Sequence, residues 1–193
     1  MDDLFWKAAY ITLFVIWLGI RGYYRRDAVR QETKEKAGWG TDSLFLAMNF
    51  VGMTFLPVIA VLSPYLDLFA FPIPEPVRFA FLIIFAINLW LFVVAHRDLG
   101  KNWSMALEIK EGHHLVRTGI YQKIRHPMYA HFWIFVIAQG FVLANALVTV
   151  FGVAAWGLLY VHRVPKEEEM LVAEFGDEYR EYMNLTGRVI PKF

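Results

Sequence analysis

Residue types that bind charged ligands are concentrated in two stretches of this 193-residue chain. The first, 110–129, carries the pair His113-His114 and ends in the motif RHPMY. The second, 162–169, reads HRVPKEEE and places basic and acidic groups side by side. Because the sequence has no cysteine, thiolate nucleophiles, thiolate metal sites and disulfides are excluded. Any chemistry must therefore use groups other than thiolates.

The RHPMY motif predicts the start of a helix beside polar groups. Proline disfavours a helical conformation at His126 and is itself well suited to the first turn of a helix at Pro127. Free amide groups at a helix N-terminus would then lie beside His126 and Tyr129. Such a position is suited to an anion.

Arg163 and Glu167 each allow two interpretations. Arg163 follows an apolar stretch, where arginines commonly anchor a helix at the membrane surface, yet its guanidinium can also bind a carboxylate through two hydrogen bonds. Glu167 can stabilise the positive end of a helix dipole, or it can bind an ammonium group or a pair of ribose hydroxyls. The residues alone leave both choices open.

The six histidines do not form a recognisable metal-binding pattern. His126 and His131 are five residues apart and would not share one face of a helix, and the HExxH pattern is absent. We interpret His96 and His131 as hydrogen-bonded structural residues. The sequence therefore predicts no metal.

The elements that must position these residues are membrane-spanning helices. Hydrophobic residues make up 58% and charged residues 19% of the chain, against roughly 45–50% and about 25% in soluble domains. The net charge of +1 offers no basic excess for nucleic acid. A spanning helix needs about 20 apolar residues. Five stretches approach that length: Leu4–Ile20, Leu44–Leu62, Val77–Ala95, Tyr129–Leu143 and Ala146–Val161.

The last two apolar stretches predict a tight helical hairpin with Asn145 near its tip. An antiparallel hairpin returns the chain to the side from which it started, so both polar stretches should meet on one face. Because both helices are short, a re-entrant hairpin that does not fully cross remains an alternative.

Basic residues predict the orientation. All but two of the 19 lysines and arginines, Lys7 and Arg78, fall in segments 21–42, 96–127 and 162–193. These segments share one side only if the chain crosses the membrane five times. The positive-inside rule then places the N-terminus outside, and the C-terminus and the polar stretches in the cytoplasm.

The tail after the fifth stretch predicts a separate amphipathic helix. Pro165 suits its first turn, and the three glutamates that follow would lie near its positive end. Leu171, Phe175, Tyr179 and Tyr182 recur at helical spacing and form one apolar stripe. We expect this helix to pack under the bundle on the cytoplasmic side.

Two long motifs resemble the isoprenylcysteine carboxyl methyltransferase family. They are GIYQKIRHPMYAHFW (119–133) and HRVPKEEEMLVAEFGDEYREYMNLTGRVIP (162–191). Members are integral membrane enzymes that use S-adenosylmethionine to methylate the carboxylate of a prenylated C-terminal cysteine, with S-adenosylhomocysteine as the product. The resemblance covers 103–193. His131 departs from the family pattern, which often has glycine there.

The resemblance assigns roles residue by residue. It makes Arg163 the catalytic and substrate-binding arginine. The cofactor contacts that it implies are His113, His114, Leu115, Val116, Tyr121, His126, Pro127, Met128, Tyr129 and Glu167. Since a carboxylate is ionised at neutral pH, its methylation needs no general base, and none is recognisable here. Alternatives are a phospholipid or other lipid-amine methyltransferase, a membrane sterol-type reductase, and a non-catalytic scaffold.

The same resemblance implies an all-α polytopic protein that contacts membrane lipid, with a lipidated small-molecule or peptide substrate entering from the bilayer. We divide the chain into three N-terminal transmembrane helices, 1–95, and a catalytic region, 96–193. The catalytic region would comprise the cofactor loop, the helical hairpin and the cytoplasmic tail.

Overall fold

The computed structural model describes residues 3–29, 33–36, 39–103, 108–110 and 114–192, and these are almost entirely helical. A π-helical segment, Val51–Phe55, joins the second and third helices into one continuous rod. Short 3₁₀ segments lie at Pro64–Phe69, Gly100–Asn102 and Gly119–Gln122. The helices are α1 (Asp3–Val29), α2 (Trp39–Phe50), α3 (Leu56–Leu62), α4 (Glu75–Leu99), α5 (Pro127–Leu143), α6 (Ala146–Phe175) and α7 (Asp177–Leu185).

Four helical segments are long and apolar enough to cross a membrane: Asp3–Arg26, Ser43–Leu62, Glu75–Leu99 and Ala146–Phe175. The fifth predicted segment corresponds to α5, which has 17 residues and is about 25 Å long at the usual helical rise. These five segments confirm the predicted multi-pass, all-α membrane protein. A full crossing by α5 stays a prediction.

The bundle is ordered α1, α4, α5, α6, α2, with α5 at its centre. Side-chain amides and an imidazole join the helices inside the apolar core. Asn88 Nδ2 donates to the carbonyl of His131 (3.1 Å), and Gln139 Nε2 donates to the carbonyl of Gly52 (3.0 Å). Asn49 Nδ2 donates to the carbonyl of Ala155 (2.9 Å). Such bonds hold helices together where lipid offers no hydrophobic driving force.

The α5–α6 hairpin turns at the predicted position. Ala144 adopts a left-handed conformation (φ 51°), and Asn145 caps α6 by accepting a bond from the Val148 amide (3.1 Å). The Asn145 side chain also donates to the carbonyl of Leu66 (2.8 Å), which fixes the turn against the preceding loop. One asparagine therefore both ends the turn and starts the return helix.

The prediction of a new helix at Pro165 is wrong, because α6 continues unbroken through that residue to Phe175. The loss of apolar character after Val161 indicates that the chain leaves the apolar region of the membrane there. It does not end the helix, because a helix is held by its own backbone hydrogen bonds. A single internal proline removes one of them. The break comes at Gly176, whose φ of 58° most side chains avoid. An amphipathic terminal helix follows, but it is α7, and the predicted apolar stripe is shared between α6 and α7.

Two short strands, which the sequence analysis did not predict, join two of the basic segments. β1 (Thr33–Lys36) pairs antiparallel with β2 (Glu108–Lys110), with Thr33 opposite Lys110 and Lys36 opposite Glu108. The pair connects the segment after α1 with the segment that leads to residues 114–127.

Candidate functional site

A cavity of about 560 Å³ lies at the end of the bundle where α5 begins. All the site residues predicted from the sequence that the structure describes contribute to its wall. They are His114, Leu115, Val116, Tyr121, His126, Pro127, Met128, Tyr129, Arg163 and Glu167. His113 lies outside the described residues. The geometry thus brings the two polar stretches together.

The continuity of α6 explains why Arg163 and Glu167 face the same space. Lining residues recur on this helix at Trp156, Leu159, Arg163, Glu167 and Leu171. Residues three and four apart lie on one face of a helix, so this series forms a single stripe. A helix that restarted at Pro165 would not keep the two charged groups in register.

Glu167 is the carboxylate that faces the cavity, and two side chains of the RHPMY motif contact it. Tyr129 Oη donates to Glu167 Oε2 (2.7 Å), and His126 Nδ1 lies 3.6 Å from Glu167 Oε1. The Glu167 side chain is 31% exposed, whereas that of His126 is 2% exposed. The carboxylate therefore stays accessible to a ligand while its neighbours hold it in place.

Glu168 points away from the cavity and binds three cationic or imidazole side chains. Its carboxylate, 5% exposed, accepts from Arg125 Nε (2.6 Å), His126 Nε2 (3.2 Å) and Arg188 Nη2 (2.6 Å). Because an ionised carboxylate can only accept, Nε2 of His126 carries the proton. Nδ1 of the same ring is then directed towards Glu167.

The chain after α7 completes this arrangement. The amide of Arg125 donates to the carbonyl of Gly187 (2.9 Å), and the amide of His126 donates to that of Arg188 (2.8 Å). The Arg125 guanidinium also binds the carbonyl of Thr186. The segment 186–188 thereby fixes the backbone that precedes α5. The sequence alone does not indicate this role.

Two buried tyrosines connect α7 to the loop before α5. Tyr182 Oη donates to the carbonyl of Tyr121 (2.6 Å), and Tyr121 Oη donates to the carbonyl of Ala95 (3.4 Å). Burial raises the pKa of Tyr182 to about 12 and raises the pKa of Tyr121 well above its ordinary value. Both phenols are therefore neutral hydrogen-bond donors at physiological pH.

Most of the cavity wall outside the two motifs is apolar and comes from α1, α2 and the π-helical segment, although Arg21, Asn49 and Thr54 also line it. Helices α1 and α2 contribute Trp17, Leu18, Leu46 and Phe50, and the π-helical segment contributes Met53. Leu18, Leu46 and Phe50 are 45%, 42% and 61% exposed. The cavity thus combines charged groups from α6 and the start of α5 with mainly apolar side chains from α1 and α2. It draws on both parts of the predicted 1–95 and 96–193 division, which stays a prediction.

His131 lies in the core and not in the cavity wall. Its Nε2 accepts from Trp17 Nε1 (3.2 Å), and its Nδ1 donates to the carbonyl of Asn88 (3.2 Å). The interpretation of this residue as a hydrogen-bonded structural histidine agrees with that geometry. Across the described part of the chain, no group of three or more histidine and acidic side chains is arranged to hold a metal ion.

Comparison with known proteins gives a consistent result. The isoprenylcysteine carboxyl methyltransferase (ICMT) family matches residues 79–173. The protein-S-isoprenylcysteine O-methyltransferase of Dictyostelium discoideum is 32% identical over 101 residues, 51% of this chain and 42% of that protein. Protein-S-isoprenylcysteine O-methyltransferase B of Arabidopsis thaliana is 33% identical over 95 residues, 48% of each chain. This chain thus spans less than half the length of these two relatives.

Two further comparisons cover more of the chain. A probable protein-S-isoprenylcysteine O-methyltransferase of Oryza sativa subsp. indica is 31% identical over 149 residues, 76% of this chain and 74% of the relative. The solved structure of the eukaryotic intramembrane Ras methyltransferase ICMT superposes with a TM-score of 0.58 at 20% identity. It covers 95% of this chain and 67% of the other, and it shows that the fold is shared. This chain belongs to the isoprenylcysteine carboxyl methyltransferase family.

Proposed function

We propose that this protein transfers a methyl group from S-adenosylmethionine to the carboxylate of a lipidated, isoprenyl-type cysteine. The observation that carries the proposal is a cavity lined both by Glu167, His126 and Arg163 and by apolar side chains of α1 and α2. A polar donor and an apolar acceptor can meet only in a site with both environments. Membership of the family supports the same reaction.

The residues around Glu167 support binding of the donor in this cavity. Its size, about 560 Å³, falls within the roughly 300–1,000 Å³ of ordinary small-molecule sites. Glu167 is the sole carboxylate among the described lining residues, and its oxygens can accept from an ammonium group or from ribose hydroxyls. His114, Leu115, Val116, Tyr121, Pro127 and Met128 would enclose the rest of the donor, with His126 and Tyr129 positioning Glu167.

When bound, S-adenosylmethionine supplies a methyl group that is activated by the positive sulfonium. A carboxylate oxygen would form the new O–C bond to this methyl group while the S–C bond breaks, and the electron pair of the S–C bond would stay on sulfur. No proton moves in such a transfer, so the protein needs no general base. The work left to the chain is orientation of the two reactants. Arg163 would bind the acceptor carboxylate and aim one oxygen at the donor.

We further propose that the N-terminus lies outside and that the site faces the cytoplasm. The three basic segments support this orientation, because lysine and arginine are retained on the cytoplasmic side. A water-soluble donor would then enter from the cytoplasm and a lipidated acceptor from the bilayer.

Two variants test the assignment of roles. Arg163→Ala should lose acceptor turnover while S-adenosylmethionine still binds, because the guanidinium serves the acceptor. Glu167→Ala should weaken donor binding by tenfold or more, since it removes a charged acceptor of hydrogen bonds. Calorimetry on detergent-solubilised protein measures donor affinity. Full activity in both variants would show that the site lies elsewhere. If the wild-type protein binds no S-adenosylmethionine, every methyltransferase activity considered for it is excluded.

A further inference from the structure

Arg21 belongs to the cavity, whereas the arginines that follow it on α1 do not. It lines the same space as Arg163 and is only partly exposed. Its Cζ atom lies 5.5 Å from the ring centre of Trp17 and 6.0 Å from that of Phe132. Arg25 and Arg26, one turn further along α1, are exposed to solvent. An arginine that served only as a membrane anchor would extend to the surface as these two do.

The charge of Arg21 is not neutralised by a protein carboxylate among the described residues. Glu167 is engaged by Tyr129 and His126, and Glu168 is bound on the far side by Arg125, His126 and Arg188. The two aromatic rings stabilise the guanidinium electrostatically, but they do not accept hydrogen bonds from its five in-plane N–H groups. Since none of the described carboxylates pairs with it, the guanidinium in this partly desolvated cavity can take an anion from a ligand.

The neighbours of Arg21 indicate which reactant supplies that anion. Trp17 and Leu18 lie on the same helix, and Leu46 and Phe50 line the cavity from α2. The rings of Trp17 and Phe132 lie beside the Arg21 guanidinium, so its immediate surroundings are apolar. A ligand held here must place an anionic group beside an apolar chain.

We propose that Arg21 is a specificity-determining residue that binds the acceptor carboxylate together with Arg163. The ligand class is an amphiphile that carries a carboxylate on an apolar chain. The inference rests on the proposed function for the identity of the acceptor, but binding of such an amphiphile does not require methyl transfer. A carboxylate offers about four lone-pair positions on two oxygens, so two guanidinium groups can bind it while one lone pair stays directed at the donor.

The test compares one farnesylated cysteine analogue with its carboxamide, which has the same chain and no charge. Binding of both, and of S-adenosylmethionine, is measured by calorimetry on the solubilised full chain. The proteins are wild type, Arg21→Gln and the control Arg25→Gln, which removes an equal charge from the exposed side of the same helix. A fatty acid as a third ligand distinguishes recognition of the isoprenyl-cysteine unit from recognition of any apolar carboxylate.

Wild type should prefer the carboxylate over the carboxamide by about tenfold to a hundredfold, as charge-assisted hydrogen bonds allow. Arg21→Gln should reduce this preference by at least about tenfold while donor affinity stays within a factor of about two. Arg25→Gln should change neither quantity. An undiminished preference in a folded Arg21→Gln protein would overturn the inference.

A second variant covers the case in which Arg21→Gln does not fold. Arg21→Lys keeps the charge and loses the planar fork, so the preference should fall by about threefold or more, and an unchanged preference would contradict the inference. Failure of the proposed function gives a different pattern. In that case wild type binds no donor, whereas the carboxylate preference and its dependence on Arg21 persist.

Discussion

Two adjacent glutamates on α6 have opposite surroundings. Successive residues of a helix point about 100° apart, so Glu167 faces the cavity while Glu168 faces the chain segment after α7. His126 lies between them, with Nε2 on Glu168 and Nδ1 towards Glu167. The buried carboxylate therefore orients the ring that contacts the exposed one. Composition could not separate the two glutamates, because their difference depends on what packs against each face.

Tyr129→Phe tests the support of Glu167. The substitution removes the 2.7 Å bond from the phenol to Glu167 Oε2 but keeps the ring, which packs against Trp156 and Tyr160. Donor affinity should fall by roughly three- to thirtyfold, as expected for one hydrogen bond to a charged group. Calorimetric titration measures it. Tyr160→Phe, outside the cavity wall, serves as the matched control, and an equal effect of both variants would argue against a role for the Tyr129 hydroxyl.

Glu168→Ala tests the buried ion cluster. Removal of the carboxylate leaves Arg125, 9% exposed, without its charge partner, and breaking a buried pair in this way costs roughly 3–5 kcal/mol. The thermal midpoint in detergent should fall by roughly 5–15 °C, and donor affinity should fall with it because His126 loses its orientation. Glu169→Ala, exposed on the same helix, should leave both unchanged. A stable Glu168→Ala protein with normal donor binding would show that the cluster positions nothing.

The site residues predicted from sequence came from motif segments, and the structure adds others that no motif marks. Trp17, Arg21 and Phe50 lie on helices whose sequence reads only as apolar, membrane-spanning rods. Which face of such a rod meets a cavity depends on its packing partners. Single-sequence periodicity does not encode that information when apolar residues cover every face.

At the scale of elements, the hairpin between α5 and α6 holds the two halves of the site together. Gly140 on α5 lies against Thr149 on α6 so closely that an added Cβ atom would be 2.7 Å from the Thr149 Cα atom. Close backbone approach through small residues is a common way to join helices in membranes. The sequence predicted the position of Asn145 near the tip of the hairpin, but it did not indicate its cap on α6 or the close packing at Gly140.

Gly140→Ala should therefore separate the two helices and destabilise the protein. We expect a loss of roughly 1–3 kcal/mol from overpacking, read as a lower thermal midpoint, and a reduced turnover because Arg163 and Tyr129 move apart. Gly19→Ala is the control, since nothing lies within 4 Å of the added atom. A gain in stability in Gly140→Ala would contradict the close packing described for this hairpin.

The path of α6 beyond the apolar stretch shows where element prediction failed. Proline and the change from apolar to charged residues both favour a boundary near residue 165, yet the helix reaches Gly176. Hydropathy reports the surroundings of a segment, and the helix end depends on backbone conformation. Gly176, a residue type that tolerates a positive φ, was the better indication of where α6 ends.

At the scale of the whole molecule, the five helical segments and the hairpin followed from hydropathy and loop chemistry. The thickness of the bilayer fixes the length of the apolar segments, so these segments can be recognised in the sequence. The sequence did not predict the antiparallel pairing of β1 with β2 or the order of the helices, because both depend on contacts between distant segments. The resulting bundle surrounds one cavity with polar residues of α6 and the start of α5 and with apolar residues of α1 and α2.

The proposed activity is the transfer of a methyl group to a carboxylate within this cavity. Its most direct test is incubation of the solubilised protein with S-adenosylmethionine labelled in the methyl group and a farnesylated cysteine analogue. Base should release the label from the analogue, as from a methyl ester, and the matching carboxamide should carry no label. Label that resists base, or label that appears on a lipid amine and not on the carboxylate, would contradict it.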